Sequence, residues 1–279
     1  MPTVTSTQAG TALRRPHRVR PSTWIATILV SLVAIISATP FVFLIVVSLS
    51  PGTEDAFGSS WVELFQSLPI ARQTLNSLIV AGCTTMIVVA VSSLAGFGFS
   101  KLVFRGSRLI FVGIIAMIAV PTATTILPNY INFSNIGGVG AYWGPIVMYA
   151  GVSVPFATIL MTAFYSSLPD ELIEGGLMDG ATYLQTFLRI VLPLAAPAMI
   201  TVGILAFLGA WNDLLVGLLF LPDVDMRTIS VGIGSLAGLR VSNTSLILDG
   251  SLFSAIPPVV GFLIFQRYLI SGITAGVSK

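Results

Sequence analysis

Charge is scarce in this sequence. Of 279 residues only 9% are Asp, Glu, Lys or Arg, against about 25% in an average soluble domain. Hydrophobic residues make up 55% and the mean hydropathy is +0.96, so the chain cannot cover a water-facing surface and reads as an all-α polytopic membrane protein. Cysteine is nearly absent as well. Cys83 is the only one, which excludes an intrachain disulfide or a thiolate metal site, and its apolar surroundings assign it to packing. His17 is the single histidine and lies in a basic tail, so neither a histidine metal cluster nor a Ser-His-acid triad is supported. The two lysines, Lys101 and Lys279, follow no phosphate-binding glycine loop. No catalytic residue, metal ligand or cofactor site is expected in this chain, and energy for any pumping must come from elsewhere. A net charge of +2 with dispersed basic residues gives no footprint for nucleic acid.

What is present is a series of long apolar runs. Residues 1–23 form a basic tail with Arg14, Arg15, Arg18 and Arg20, too polar to bury a core and expected to be disordered. The remainder, 24–279, forms one membrane domain. The run at 24–49 is longer than the roughly 7–15 apolar residues of a signal peptide and reads as a first, uncleaved span. Five more spans are expected at 74–100, 109–129, 143–165, 197–221 and 252–270. Ten of the 13 Lys and Arg residues then fall on one side, where both termini and the 166–197 loop also lie. By the positive-inside rule that side is cytoplasmic. The opposite loops, 51–73 and 222–250, carry Glu54, Asp55, Glu63, Asp223, Asp225 and Asp249 and read as solvated connections or contacts for an outside partner.

Several residues stand out within the spans. Pro121 and Pro128 are expected to flank a kink in the third, and Pro257-Pro258 to interrupt the sixth, because proline removes a helical hydrogen bond. Broken spans recur where transporters hold solutes. Trp211, Asn212 and Asp213 lie within the fifth span, Asp213 about 24 Å from Pro197 and past the midplane, where a carboxylate can also reach headgroups and a tryptophan can anchor at the interface. An acid there is expensive unless it faces a bundle interior or an aqueous pathway, so these three are candidates for the substrate path.

The 166–197 loop is not a simple connector. Ser167 and Asp170 have the spacing of a capping box, and Asp170 and Glu171 place negative charge in a helix's first turn. Ile173 and Leu177 share one face and Glu171 and Glu174 another. Asp179-Gly180 signals a turn. A second helical segment at 182–192 brings Tyr183, Phe187 and Ile190 into line before Pro193, which is expected to stop it. The result is an amphipathic helix-turn-helix, either lying passively on the membrane or serving as a docking lever.

Glu174-Gly175-Gly176-x-x-Asp179-Gly180, followed by Ile190-x-Leu192-Pro193, resembles the EAA loop of binding-protein-dependent ABC importer permeases. Gly98-Phe99-Ser100-Lys101 through Phe104-Arg105-Gly106 is similar to the basic loop after these permeases' second helix, and Trp211-Asn212-Asp213 to their fifth-helix motif. The ending from Gln266 to Gly276 resembles the carbohydrate branch, of the type of the smaller maltose-transporter permease. The resemblance implies a type I importer fold in a bacterial inner membrane, with six transmembrane helices and a cytoplasmic coupling helix. It also implies partners: a second homologous permease, two ATPase subunits that bind ATP and Mg²⁺, and an extracytoplasmic sugar-binding protein. Glu171, Glu174, Gly175, Gly176, Asp179, Gly180, Ala181, Ile190, Leu192 and Pro193 would couple the chain to the ATPases. Here the family's two alanines are Gly175 and Gly176, each costing a helix interior about 1 kcal/mol relative to alanine. The glycines are expected to permit a close approach, with the helix firmed by its partner. From a different class, an ion-coupled secondary transporter or channel would work without an ATPase and would carry more intramembrane acids than Asp213.

Overall fold

The structure, a computed structural model, describes residues 21–49, 59–102, 104–238 and 244–275. The basic tail through Arg20 with His17, the acids Glu54 and Asp55, Arg240, and 276–279 with Lys279 lie outside the described residues. In chain order the helices are α1 (Pro21–Leu49), α2 (Ser59–Ser67), α3 (Ile70–Lys101), α4 (Ser107–Ile118), α5 (Thr122–Asn135), α6 (Trp143–Ser167) and α7 (Glu171–Met178). Then come α8 (Tyr183–Thr186), a π-helical turn (Phe187–Val191), α9 (Leu192–Leu194), α10 (Ala196–Asn212), α11 (Leu215–Phe220), α12 (Ile229–Ala237) and α13 (Thr244–Ala275). No strand occurs among the described residues.

The chain divides into two compact units, through Val47 and from Ser48 onward. The first holds α1 as far as Val47, an apolar helix containing Pro40 with apolar side chains exposed along it. In the second, α3 is the spine, packing along α6 and α10, while α10 also packs on α13. One apolar cluster gathers Trp211, Phe220, Ile229 and Tyr149. Another, toward the 166–197 loop, gathers Phe97, Met161, Tyr165, Ile173, Phe187 and Val191. The 222–228 loop is tied to α3: the Asn76 amide donates to the carbonyls of Asp225 and Arg227, both at 2.9 Å, and the Tyr142 hydroxyl donates to the Asn76 carbonyl at 2.8 Å.

Among the described residues four helices are long and apolar enough to cross a bilayer, or up to six if each of two bent pairs forms one span. The expected spans need correction in three places. The third bends by 99° between α4 and α5, at the residues just before Pro121 rather than between the two prolines, and Pro128 lies inside α5. The fifth is broken: α10 stops at Asn212, Asp213 is extended, and α11 follows. The sixth is not interrupted, because α13 runs from Thr244 through Pro257-Pro258. It starts early enough to include Asp249, expected in a loop but fully buried here, with Ser48 Oγ donating to its Oδ1 at 2.6 Å. The short helices α2 and α12 fall in stretches read as loops.

Candidate functional site

Two constellations contain the sequence-predicted site residues. The first is the hairpin from α7 to α9. Its Asp179-Gly180-Ala181 turn is a helix C-cap: Gly180 takes φ +82°, its N–H donates to the Leu177 carbonyl, and the Ala181 N–H donates to the Gly176 carbonyl. This 6→1 and 5→2 pattern needs the left-handed conformation that glycine adopts without a Cβ penalty. The returning helix starts with a capping box, but at Thr182 and Gln185. The Gln185 N–H donates to Thr182 Oγ1 at 3.3 Å and the Thr182 N–H donates to Gln185 Oε1 at 2.9 Å. Ser167 does not cap α7. Its hydroxyl donates back to the Phe164 carbonyl at 2.7 Å, while Asp170 is engaged by a lysine.

That lysine is Lys101, at the end of α3. Its Nζ donates to Asp170 Oδ1 and to the Leu168 carbonyl, both at 2.6 Å, and its side chain is only 5% exposed. The first helix of the hairpin is thus pinned to the spine where it begins. Below it, Phe187 packs on Phe97 with ring centroids 4.9 Å apart and on Tyr165 at 6.3 Å, and the Tyr165 hydroxyl meets Ser93 Oγ at 2.6 Å. Gly176 is buried against Thr186 and Ile190, where a Cβ would approach Thr186 to 2.8 Å. Within the hairpin only Gly176 makes a close approach, since a Cβ on Gly175 meets nothing within 4 Å.

Pro193 does not stop the second helix. The wider π-helical turn at Phe187–Val191 precedes it, helix continues to Leu194, and the chain turns 76° at Ala195. The extra residue in that turn offsets the expected stripe: Phe187 and Val191 are buried, Ile190 is half-buried and Tyr183 is exposed. Leu192 is half-buried and Pro193 exposed. On the free side lie Glu171, Glu174, Gly175 and Asp179, with Met178 88% exposed beside Leu184 and Tyr183.

The second constellation is Trp211-Asn212-Asp213, whose residues point to different tasks. Trp211 is buried and stacked on Phe207 at 5.4 Å. Its Nε1–H donates to the Ser254 carbonyl at 3.1 Å, and its own carbonyl accepts from Ser230 Oγ at 2.7 Å. Ser254 is four residues before Pro258, which has no N–H to offer it. The indole thus satisfies the acceptor that Pro258 leaves free, inside a helix that continues through both prolines. Asp213 Oδ1 accepts from the Tyr149 hydroxyl at 2.9 Å and from the Val216 N–H at 2.8 Å, capping α11 and ending the preceding helix. Asn212, between these two anchors, is exposed. Sequence reasoning missed Lys101, Tyr149 and Asp249. Lys101 was signalled only as part of a basic loop, and a tyrosine distant in sequence gives no sign of its partner.

The permease protein MalG of a trehalose/maltose transport system, from Thermococcus litoralis, is 32% identical over 263 residues, covering 89% of this chain and 94% of its own. The permease protein GgtD for uptake of osmoprotective compounds, from Synechocystis, is 31% identical, covering 78% of this chain and 73% of its own. Among solved structures, a bacterial ABC transporter that imports the acidic polysaccharide alginate includes a chain superposing with a TM-score of 0.78 at 18% identity, covering 92% of this chain and 99% of that one. Residues 88–269, spanning both constellations, match the family described as the inner membrane component of binding-protein-dependent transport systems. This chain is a member of that family: a multi-pass permease component of an ABC importer.

Proposed function

We propose that the chain is one of two membrane subunits of an ATP-driven sugar importer, moved from the cytoplasmic side through the α7–α9 hairpin. The observation that carries this reading is the hairpin's two-sided construction. Its inner side is fixed to α3 and α6 by Lys101, Ile173 and Phe187, while its outer side presents Glu171, Glu174 and Asp179 beside exposed Met178, Tyr183 and Leu184. A fixed element with an uncovered apolar and acidic tip suits a soluble partner's groove better than passive contact with lipid. That partner is a pair of separate ATPase subunits, which hold ATP and Mg²⁺. Gly175, Gly180 and Ala181 shape the contact, while Gly176, Ile190, Leu192 and Pro193 transmit movement inward.

A second, homologous permease completes the path, and an extracytoplasmic binding protein delivers the sugar. The trehalose/maltose relative supports a sugar as cargo. The Lys/Arg asymmetry supports cytoplasmic placement of the hairpin and both termini, with a tail at 1–23 and one permease domain at 24–279. Asn212 lines the path, positioned by the buried Trp211 and the half-buried Asp213 on either side.

The complex reconstituted in proteoliposomes with its binding protein is expected to take up sugar only with ATP on the hairpin side, and to lose coupling in Glu174→Arg. Uptake by this chain alone, driven by an ion gradient and indifferent to ATP, overturns the reading in favour of the ion-coupled alternative.

A further inference from the structure

A cavity of about 620 Å³ opens where the third apolar stretch breaks, between α5 and α6. The sequence of α5 places Thr122, Thr125, Asn129 and Phe133 at spacings of three, four and four, which is one helical stripe. All four line the cavity. The Thr125 hydroxyl donates to the Thr122 carbonyl at 3.0 Å, leaving its lone pairs as acceptors, and the half-buried Asn129 amide offers two donors and an acceptor.

The facing wall of α6 contributes Gly151, Pro155 and Phe156. Pro155 has no N–H, so the Gly151 carbonyl lacks its helical donor four residues on. Gly151 also leaves its backbone uncovered, since a Cβ there meets nothing within 4 Å. In a bilayer, broken helices and freed carbonyls are tolerated where they are buried in protein or line a water-filled cavity. Such breaks are where transporters hold solutes.

The lining chemistry narrows the solute. No charged side chain lines the cavity, which disfavours an ionic ligand. An acyl chain has no use for the polar stripe on α5. Exposed Phe156 offers an apolar ring, while Thr125, Asn129 and the Gly151 carbonyl offer hydrogen-bonding groups of both kinds. A pyranose needs that combination, having C–H faces and a rim of hydroxyls. The volume falls within the range of about 300–1,000 Å³ typical of small-molecule sites.

We infer that this cavity is a binding site for a short neutral saccharide within this subunit, and that Asn129 and the bare backbone at Gly151 set its selectivity. The inference rests on the sugar-importer reading and adds to it a place where the cargo is held, apart from Trp211, Asn212 and Asp213.

The test uses the complete transporter in proteoliposomes with radiolabelled maltose, trehalose or raffinose. Gly151→Leu projects a side chain into the cavity from a position where a Cβ meets nothing within 4 Å, and uptake is expected to fall by roughly tenfold, equivalent to about 1.4 kcal/mol. Gly113→Leu, on an exposed face of α4 that is also open to a Cβ, is expected to transport like the parent. In a second arm Cys83, the only cysteine, is changed to Ser and Asn129→Cys is labelled with a maleimide. The transported sugar is expected to slow the labelling.

Wild-type uptake of none of the three sugars overturns the sugar reading and the site together. Wild-type uptake with an assembled Gly151→Leu transporter of unchanged rate and KM overturns the site alone, as does labelling at Asn129→Cys that is indifferent to sugar. Slowing by added lipid but not by sugar assigns the cavity to an acyl chain and likewise overturns it. Should Gly151→Leu fail to assemble, the labelling arm decides.

Discussion

Trp211 shows how a side chain on one helix serves a carbonyl that a proline frees in another. Its indole N–H occupies the carbonyl that Pro258 cannot serve, and its ring stays stacked on Phe207. Trp211→Phe keeps an aromatic ring and removes only that donor. An unsatisfied buried carbonyl costs about 1–3 kcal/mol, so the purified transporter is expected to unfold at a lower temperature, with a smaller loss for Trp211→Phe than for Trp211→Ala. The glycine pair gives a sharper contrast. Gly176→Ala drives a methyl into Thr186 and is expected to loosen the hairpin and reduce transport per ATP hydrolysed. Gly175→Ala meets open space and is expected to firm the helix by about 1 kcal/mol. Hydrogen exchange across α7 in the two variants should move in opposite directions. The sequence shows two adjacent glycines of equal helix cost, and only the packing separates them.

At the scale of elements, the hairpin was legible as an amphipathic helix-turn-helix because its apolar spacing and Asp179-Gly180 turn are local signals. Its fastening was not, because it depends on a lysine 69 residues before Asp170 in the chain. The same limit explains the misplaced capping box. Ser167 and Asp170 have the right spacing, but each finds a better partner, the Phe164 carbonyl and Lys101, while Thr182 and Gln185 are the pair left to cap a helix. The broken fifth span has a similar cause, since hydropathy runs on through Leu221 while Asp213 diverts the backbone by capping α11. Lys101→Met keeps most of the buried stem and removes both hydrogen bonds to the start of the hairpin. Exchange in 168–178 is expected to quicken, and transport per ATP to fall while ATP hydrolysis continues. Lys101→Arg should restore part of the coupling. If the ratio of transport to hydrolysis is unchanged in Lys101→Met, the tie is structural only.

At the scale of the whole molecule, composition alone decides the class, because 9% charge cannot solvate a soluble surface. Asp249 lay beyond such reasoning: a single acid near the end of an apolar stretch reads as loop until the helix is seen to begin at Thr244 and bury it. Orientation belongs to this scale too, since it depends on the distribution of basic residues over all the loops. Ten Lys and Arg on one side against three on the other support a cytoplasmic hairpin and cytoplasmic termini. In a Cys83→Ser background, Met178→Cys at the exposed tip of the hairpin should label only in inverted vesicles. Val224→Cys, exposed in the 222–228 loop, should label in intact cells. Neutralising Arg14, Arg15, Arg18 and Arg20 removes four of the ten inside charges and is expected to leave a fraction of the molecules with mixed labelling. If Met178→Cys in the parent chain labels from outside the cell, the hairpin cannot be the part that a cytoplasmic ATPase moves.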